Sequence, residues 1–437
     1  MTVVDAYRPE AGAHGFSHTY RIAEGGAERV VALNGNTYSD FLPNDRPGRD
    51  PFGAWWLAYL RAKSVVPTHA ESPPLSVVDL FSSVGGLSLG VLEAARALEF
   101  GAIPRLAVDV DQDAVDVYRS NMRPTWAMAN SVRELLEFRV AGRGPGARFA
   151  LPPRITSPEL GHLEGSVDIL LGGPPCQGHS SLNNRTRGDD PRNRLYLAVP
   201  AVAVATGARA VIIENVPNVV HDKNGVVETS KALLRGAGYH LTEGVLKADR
   251  LGWPQTRRRY FLVATRDAAP LPLSLIADAL ARDPLPVAWA IRDFARRRLR
   301  EGDAMFSTPQ MSTANEERIA WLFENDEFDL PDERRPDCHK DGHTYPSVYG
   351  RMKWDTPAGT ITGGFMTPGR GRFIHPKQPR VLTPREAARI QGFPDWFTFQ
   401  PPGMPQPNRA NLAKWIGDAV PPILGYVAGL AAISALV

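Results

Sequence analysis

The stretch Val167-Asp168-Ile169-Leu170-Leu171-Gly172-Gly173-Pro174-Pro175-Cys176-Gln177-Gly178 decides how this chain is read. Its first residues are mostly aliphatic, the mark of a short strand buried on both faces of a parallel sheet. Two glycines and two prolines then stop regular structure. Cys176, one of 2 cysteines in 437 residues, is thereby presented at the carboxyl end of a strand, where open α/β sheets bind ligands. A lone cysteine is ordinarily a buried packing residue. Held on such a turn, it is a candidate nucleophile.

Further strand-like runs lie at 76–81, 105–110, 210–214, 239–247 and 260–265, with helix-like stretches at 90–98, 114–119 and 196–205. This alternation predicts an α/β domain with a parallel sheet over 75–269. It ends near residue 269, and 270–380, rich in Pro, Arg and Gly, reads as a second, smaller domain. Thr383-Pro384-Arg385-Glu386 has the pattern of a capping box with proline at the first helical position. It opens a C-terminal helical segment over 381–437. Residues 1–74 form an N-terminal extension without clear periodicity before an aromatic-rich helix at 52–60. Trp55 and Trp56 in that helix either pack on the main domain, touch a nucleic acid or hold a partner protein.

Two cysteines exclude a disulfide framework and fit a reducing cytosol. Cys338, His339 and His343 are too few to suggest a metal centre, so no metal is expected. The start carries no basic-then-apolar signal segment. The uncharged tail 423–437 is shorter than the roughly 20 apolar residues a bilayer requires, so a core helix rather than a membrane anchor is expected. A net charge of +3 permits a nucleic-acid partner without arguing for one. Arginine clusters at 292–300 and 370–380 are more suggestive.

Three more segments carry chemistry. Asp79-Leu80-Phe81-Ser82-Ser83-Val84-Gly85-Gly86 is a strand entering a glycine turn that opens a helix, the form that lets a cofactor approach the backbone. Asp109, ending the next strand, is placed to hold ribose hydroxyls. Glu214 in Glu214-Asn215-Val216-Pro217 ends an apolar strand and would face the same cleft as Cys176. Partial burial there would raise its pKa and suit it to proton donation. Gln255-Thr256-Arg257-Arg258-Arg259 enters a strand with Arg257 and Arg259 on one face.

Together with Arg380–Pro394 (RVLTPREAARIQGFP) and Ile416–Pro422 (IGDAVPP), these segments resemble, in order, the signature of the bacterial-type DNA (cytosine-5) methyltransferases. The resemblance covers about residues 76–437. It implies a Rossmann-like S-adenosylmethionine-dependent methyltransferase domain (75–269) with a smaller target-recognition domain (270–380) and C-terminal helices (381–437) returning to the catalytic domain. It implies catalytic roles for Cys176, Glu214, Arg257 and Arg259. Cys176 attacks carbon 6 of a flipped-out cytosine, Glu214 supplies the proton, and Arg259 holds the base carbonyl. S-adenosyl-L-methionine would be held by Phe81, Ser82, Ser83, Gly85, Gly86, Asp109, Val110, Ser131, Asp418, Ala419 and Val420. Ser83 stands where the family commonly has glycine, Val110 where an aromatic often stacks on adenine, and Asp418 where asparagine is common.

The same resemblance makes double-stranded DNA the partner. Gln177, Ser180, Asn183, Arg185 and Arg187 would touch it from the segment after Cys176. Asn315, Arg318, Arg334, Arg335, His339 and Lys340 are candidates in the smaller domain. A cytoplasmic, nucleoid-associated role in restriction–modification or phage defence follows, with the N-terminal extension open to a defence-system partner. The alternatives are an RNA cytosine-5 methyltransferase and a partner-dependent or inactive DNA-binding homologue. The Cys-Phe-Thr motif typical of tRNA-acting relatives does not precede the 384–391 helix, and Cys176 and Glu214 are both present.

Overall fold

A computed structural model of the chain describes residues 15–45, 48–67, 73–175, 195–294, 299–300, 302–340 and 347–437. It opens with an antiparallel three-stranded sheet, β1 (Ser17–Ala23), β2 (Gly26–Leu33) and β3 (Asn36–Pro43), followed by α1 (Pro51–Arg61). The main domain continues through β4 (Leu75–Leu80), α2 (Gly86–Ala97), β5 (Ala102–Asp109), α3 (Gln112–Met122) and β6 (Trp126–Ala129). The Gly- and Pro-rich stretch after it holds four two-residue strands, β7 (Leu136–Glu137), β8 (Val140–Ala141), β9 (Arg148–Phe149) and β10 (Arg154–Ile155), and the single turn α4 (Pro158–Gly161). Then come β11 (Ile169–Gly172), α5 (Ala198–Thr206), β12 (Ala210–Asn215), α6 (Val226–Gly236), β13 (His240–Lys247) and β14 (Arg258–Thr265).

The central sheet has the order β13-β14-β12-β11-β4-β5-β6. Strands β12, β11, β4, β5 and β6 are parallel, while β14 is antiparallel to both of its neighbours. The expected wholly parallel sheet is corrected to a mixed one at this strand. The reason is local: no helix separates Lys247 from Arg258, and a parallel return requires a crossover of a dozen or more residues. The reversal matters, because it brings the amino end of β14 to the edge where β12 ends. The order also changes direction between β4 and β11, which makes their carboxyl ends the topological switch point.

The expected capping box is present. Thr383 and Glu386 bond reciprocally at the start of α10 (Pro384–Gln391), and Gly392 ends the helix in the left-handed conformation. Before it come α7 (Leu273–Ala279), α8 (Val287–Ile291) and α9 (Thr313–Glu324). Leu273 and Ile276 of α7 and Val287 and Ile291 of α8 join the main cores, whereas α9 contributes Ile319 and Leu322 to a small separate cluster with Leu330, Val348 and Ile374.

The chain closes with α11 (Arg409–Asp418) and α12 (Pro422–Ile433). The stretch Arg409–Ile433 is long and apolar enough to cross a bilayer by composition, yet 94% of its apolar window is buried inside the fold. Helix α12 lies directly on α2. A Cβ at Gly90 would stand 2.2 Å from the Pro422 carbonyl oxygen, and one at Gly429 would stand 2.7 Å from Ala94 Cβ. Glycines at these two positions are what let the helices approach so closely.

The N-terminal extension shares this core. Trp55 and Trp56 are buried and pack with Tyr20, Phe52, Trp253 and Tyr426. Arg29 of β2, 0% exposed, pairs with Asp40 of β3 and with Glu93 of α2, its guanidinium 4.0 Å from the Trp55 ring centre. His18 Nε2 lies 2.6 Å from the Tyr426 hydroxyl, and Asn34 donates to the Ser434 and Val437 carbonyls at the end of the chain. The tryptophan faces left open by the sequence are therefore used internally.

Candidate active site

The switch-point edge gathers the motifs. Strand β11 delivers the Gly172–Pro175 turn, and β12, beside it, delivers Glu214 and Asn215. Asn215 Nδ2 donates to the Pro174 carbonyl at 3.1 Å, tying the proline turn to the end of β12. Nothing larger than glycine suits Gly172, where a Cβ would meet Val199 Cγ2 at 2.5 Å. Cys176 and the candidate DNA contacts Gln177, Ser180, Asn183, Arg185 and Arg187 lie outside the described residues. So do Arg296, Arg297 and Arg298 of the first arginine cluster.

Glu214 is buried, and Arg259 Nε stands 2.8 Å from its Oε1. Burial raises the Glu214 carboxyl above the usual carboxylate range, against the opposing charges of Arg259 and Arg257. Burial thus favours the protonated carboxyl while a cationic neighbour stays beside it. Arg259, only partly buried, reaches this position because β14 runs backwards: Glu214 pairs with Phe261 and Asn215 with Tyr260, so the next residue out is Arg259.

Arg257 also lies near Glu214 and bonds three backbone carbonyls. Its Nη1 donates to the carbonyls of Ile361 and Gly417 at 2.6 and 2.8 Å, and its Nη2 to that of Asp418 at 3.2 Å. Gln255 and Gln391, which sequence reasoning passed over, complete this junction. Their amides meet at 2.8 Å, Gln255 Oε1 accepts from Ile361 N, and Gln391 donates to the Ala419 carbonyl. The only signal for them is their place inside two motifs that fold together.

The glycine turn follows β4. Phe81, Ser83 and Gly85 have φ of +59°, +46° and +93°. Ser83 thus adopts the left-handed conformation itself, at roughly 1–2 kcal/mol for a non-glycine residue. Asp109 offsets that cost. Its Oδ2 accepts from Ser83 N at 2.9 Å and its Oδ1 from Asp111 N at 3.0 Å. Gly86 touches the last motif, since a Cβ there would stand 2.6 Å from the Val420 carbonyl and 3.1 Å from Ala419 Cβ. Asp418 ends α11, and the charges of Arg257, Lys414 and Arg259 act on its carboxylate.

Two observations fit an adenosyl cofactor at this turn. Val110, at the carboxyl end of β5, is 76% exposed, an apolar surface ready for a flat ring. Ser82 Oγ is buried without a hydrogen-bond partner. Ser131, at the end of β6, accepts from Arg133 N and caps a short turn.

Around α9, Arg318 donates to the Arg334 carbonyl and to Asn315, Arg335 donates to the Leu330 carbonyl, and Lys340 pairs with Asp337. These side chains brace their own loops.

The family model of C-5 cytosine-specific DNA methylases matches residues 75–431. The chain belongs to that family. It is similar to the Type II methyltransferase M1.BsuMI of Bacillus subtilis, with 40% identity over 85% of this chain and 84% of that protein. It is also similar to the Type II methylase M.HgiDII of Herpetosiphon aurantiacus, with 30% identity over 80% of this chain and 93% of that protein. Among solved structures, a DNA modification methyltransferase encoded in an Escherichia coli prophage shares the fold with a TM-score of 0.53 and 24% identity, over 83% of this chain and 99% of that one. The methyltransferase therefore has the Rossmann-like fold expected of it, and the Glu214–Arg259 pair lies at the edge of the sheet where that fold does its chemistry.

Proposed function

We propose that this DNA (cytosine-5) methyltransferase modifies carbon 5 of a cytosine within one specific double-stranded sequence, through a covalent adduct of Cys176 with the base. The observation that carries this reading is the buried Glu214 carboxyl, raised in pKa and paired with Arg259 at the end of β12, beside the turn that leads to Cys176.

A cytosine ring is a poor nucleophile at carbon 5 until a thiolate adds at carbon 6. Glu214 gives a proton to the ring nitrogen as Cys176 adds, so that no full negative charge builds on the base. Arg259 holds the ring carbonyl and keeps Glu214 oriented. Bound S-adenosylmethionine supplies the electrophilic methyl group. Phe81, Ser82, Gly85, Gly86, Asp109, Val110, Ser131, Ala419 and Val420 would hold it, with Ser83 and Asp418 shaping the cradle. Loss of the carbon 5 proton to water, return of the ring-nitrogen proton to Glu214 and departure of the Cys176 sulfur then regenerate the thiolate and the acid. The target base lies inside a duplex and must be turned out, at a cost of a few kcal/mol. Arg257 serves this reaction as a positioning residue, through the carbonyls it holds.

A restriction–modification or phage-defence role, in the cytoplasm beside the chromosome, is the setting we assign. Bisulfite sequencing of DNA from cells expressing the protein tests both activity and target. The expected result is 5-methylcytosine at one recurring sequence, abolished in Cys176→Ala. Unmodified DNA from cells whose protein binds the cofactor would overturn the reading.

A further inference from the structure

The hairpin in the Gly- and Pro-rich stretch between β6 and β11 has no part in the reaction outlined above. Residues 138–158 hold four arginines, Arg139, Arg143, Arg148 and Arg154, and no acidic residue. Strands β8 and β9 form the hairpin, with Val140 opposite Phe149 and Ala141 opposite Arg148. The pairing continues one step outward, where Ala150 N donates to the Arg139 carbonyl at 2.8 Å. Residues opposite one another in a sheet share a face, and successive residues alternate. Phe138, Val140 and Phe149 therefore lie on one face, where the two phenylalanine rings meet edge to face and pack against the core beneath. Arg139, Arg148 and Ala150 lie on the other face and are exposed.

The tip turns sharply, with φ of +77° at Gly142 and +58° at Gly144, and Arg143 between them is exposed. It is also docked, since Gly144 N donates to Oγ1 of the buried Thr229 at 2.9 Å. Thr229 lies in the first turn of α6, which follows the turn Pro217–His221 leaving the end of β12 just after Glu214 and Asn215. The stretch starts at the same edge, because β6 ends at Ala129 in register with Asp109 of the parallel β5. Both attachments put the hairpin beside the carboxyl edge of the sheet, the edge that carries Glu214. Among the described residues, Arg154 pairs with Glu137, whereas Arg139, Arg143 and Arg148 have no acidic partner. Arg139 and Arg148 are diagonal neighbours within reach of one another, and their like charges repel. Such a two-stranded ribbon is marginal by itself. A ligand with closely spaced negative charges relieves that repulsion.

We propose that Arg139, Arg143 and Arg148 form a phosphate-binding surface for the DNA backbone that flanks the target base. This rests on the reading of the carboxyl edge as the place where the cytosine is turned out. Double-stranded DNA presents one negative charge per about 1.7 Å of its axis, and the planar fork of arginine matches phosphate oxygens. Phosphate contacts fix the position of a duplex and carry no sequence information. The hairpin thus adds affinity and orientation from the catalytic domain, and leaves the reading of bases to other segments.

Fluorescence anisotropy of the full-length protein on a labelled duplex of about 40 base pairs, roughly four turns, measured over a series of salt concentrations, tests this. The logarithm of affinity falls linearly with the logarithm of salt, with a slope close to the number of phosphates held. The triple variant Arg139→Ala, Arg143→Ala, Arg148→Ala should make that slope shallower by about three and weaken binding at about 50 mM salt by about tenfold or more. Arg235→Ala, near the far end of α6, also removes an exposed positive charge and should leave the slope as it is. Loss of the repelling charges should leave the urea midpoint of the triple variant at or above that of the wild type, and bisulfite sequencing should return the same target sequence. Wild-type slope and affinity in the triple variant overturn the proposal, as does an equal loss per residue in Arg235→Ala or a changed target sequence. If the triple variant does not fold, the three single variants decide, each expected to lower the slope by about one, and wild-type slopes in all three overturn the proposal. Wild-type protein that binds no duplex would overturn the function proposed above, and this inference with it.

Discussion

Arg259 Nε stands 2.8 Å from Glu214 Oε1, and the two residues come from neighbouring strands that run in opposite directions. An arginine at the start of β14 meets a glutamate at the end of β12 only because of that reversal. The pair should behave as a unit. Glu214→Gln preserves shape but removes the transferable proton, and methyl transfer in a single turnover should fall by about 10²–10⁴. Cofactor binding should be retained. Arg259→Lys keeps the charge without the planar fork and should also lose rate. Wild-type single-turnover rates in Glu214→Gln would remove Glu214 from the chemistry.

Arg257 bonds three carbonyls that belong to two distant segments, around Ile361 and Gly417. Arg257→Met would leave those carbonyls buried without donors, at a cost of about 3 kcal/mol or more. Urea unfolding should show the loss as a lower midpoint. Residual activity should track the folded fraction, because the guanidinium is engaged before any base arrives. A stable variant with no methyl transfer would instead give Arg257 a direct part in the chemistry.

Arg29 and Arg96 share the carboxylates of Asp40 and Glu93, binding the N-terminal sheet to α2. Arg29→Met breaks a buried pair on one side only and should cost about 3–5 kcal/mol. A chain lacking residues 1–61 would expose the apolar faces of α2 and α12 and is expected to aggregate. Soluble, cooperatively folding protein from that truncation would show that the extension is an accessory rather than part of the core.

His375 is buried, and its imidazole is lowered to about 4, mainly by burial, with Glu386 opposing and Arg380 and Arg351 adding to the effect. In the unfolded chain it titrates near 6.5, so the unfolded state takes up the proton first. Its contribution to stability is therefore fully present above about pH 6.5 and is lost as pH falls from there to about 4. His375→Asn should flatten that part of the stability profile measured by denaturant unfolding. An unchanged slope between those pH values would show that His375 stays neutral in both states.

Much of the main domain was legible locally. The aliphatic runs at 210–214 and 260–265 and the Thr383–Glu386 box announce their elements because strand burial and helix capping depend on neighbours in sequence. The three-stranded N-terminal sheet was not legible. Its strands β1 and β3 mix polar, charged and aromatic residues without an unbroken apolar face, and their burial is only partial. The reversed β14 could have been anticipated from the absence of a helix between residues 247 and 258.

The sequence by itself determined the chemistry on offer: a glycine turn, a Pro-Pro-Cys turn, a strand-ending glutamate and an arginine-rich strand entry, in one family's order. It did so because each is a short pattern whose physics is contained within a few residues. Tertiary structure alone decided what those groups meet. It turned β14 around so that Arg259 reaches Glu214, and it gave Arg257 to three carbonyls. It buried Trp55 and Arg29 against α2 and α12. Those outcomes depend on contacts between residues tens to hundreds of positions apart, and no local periodicity or turn residue records them.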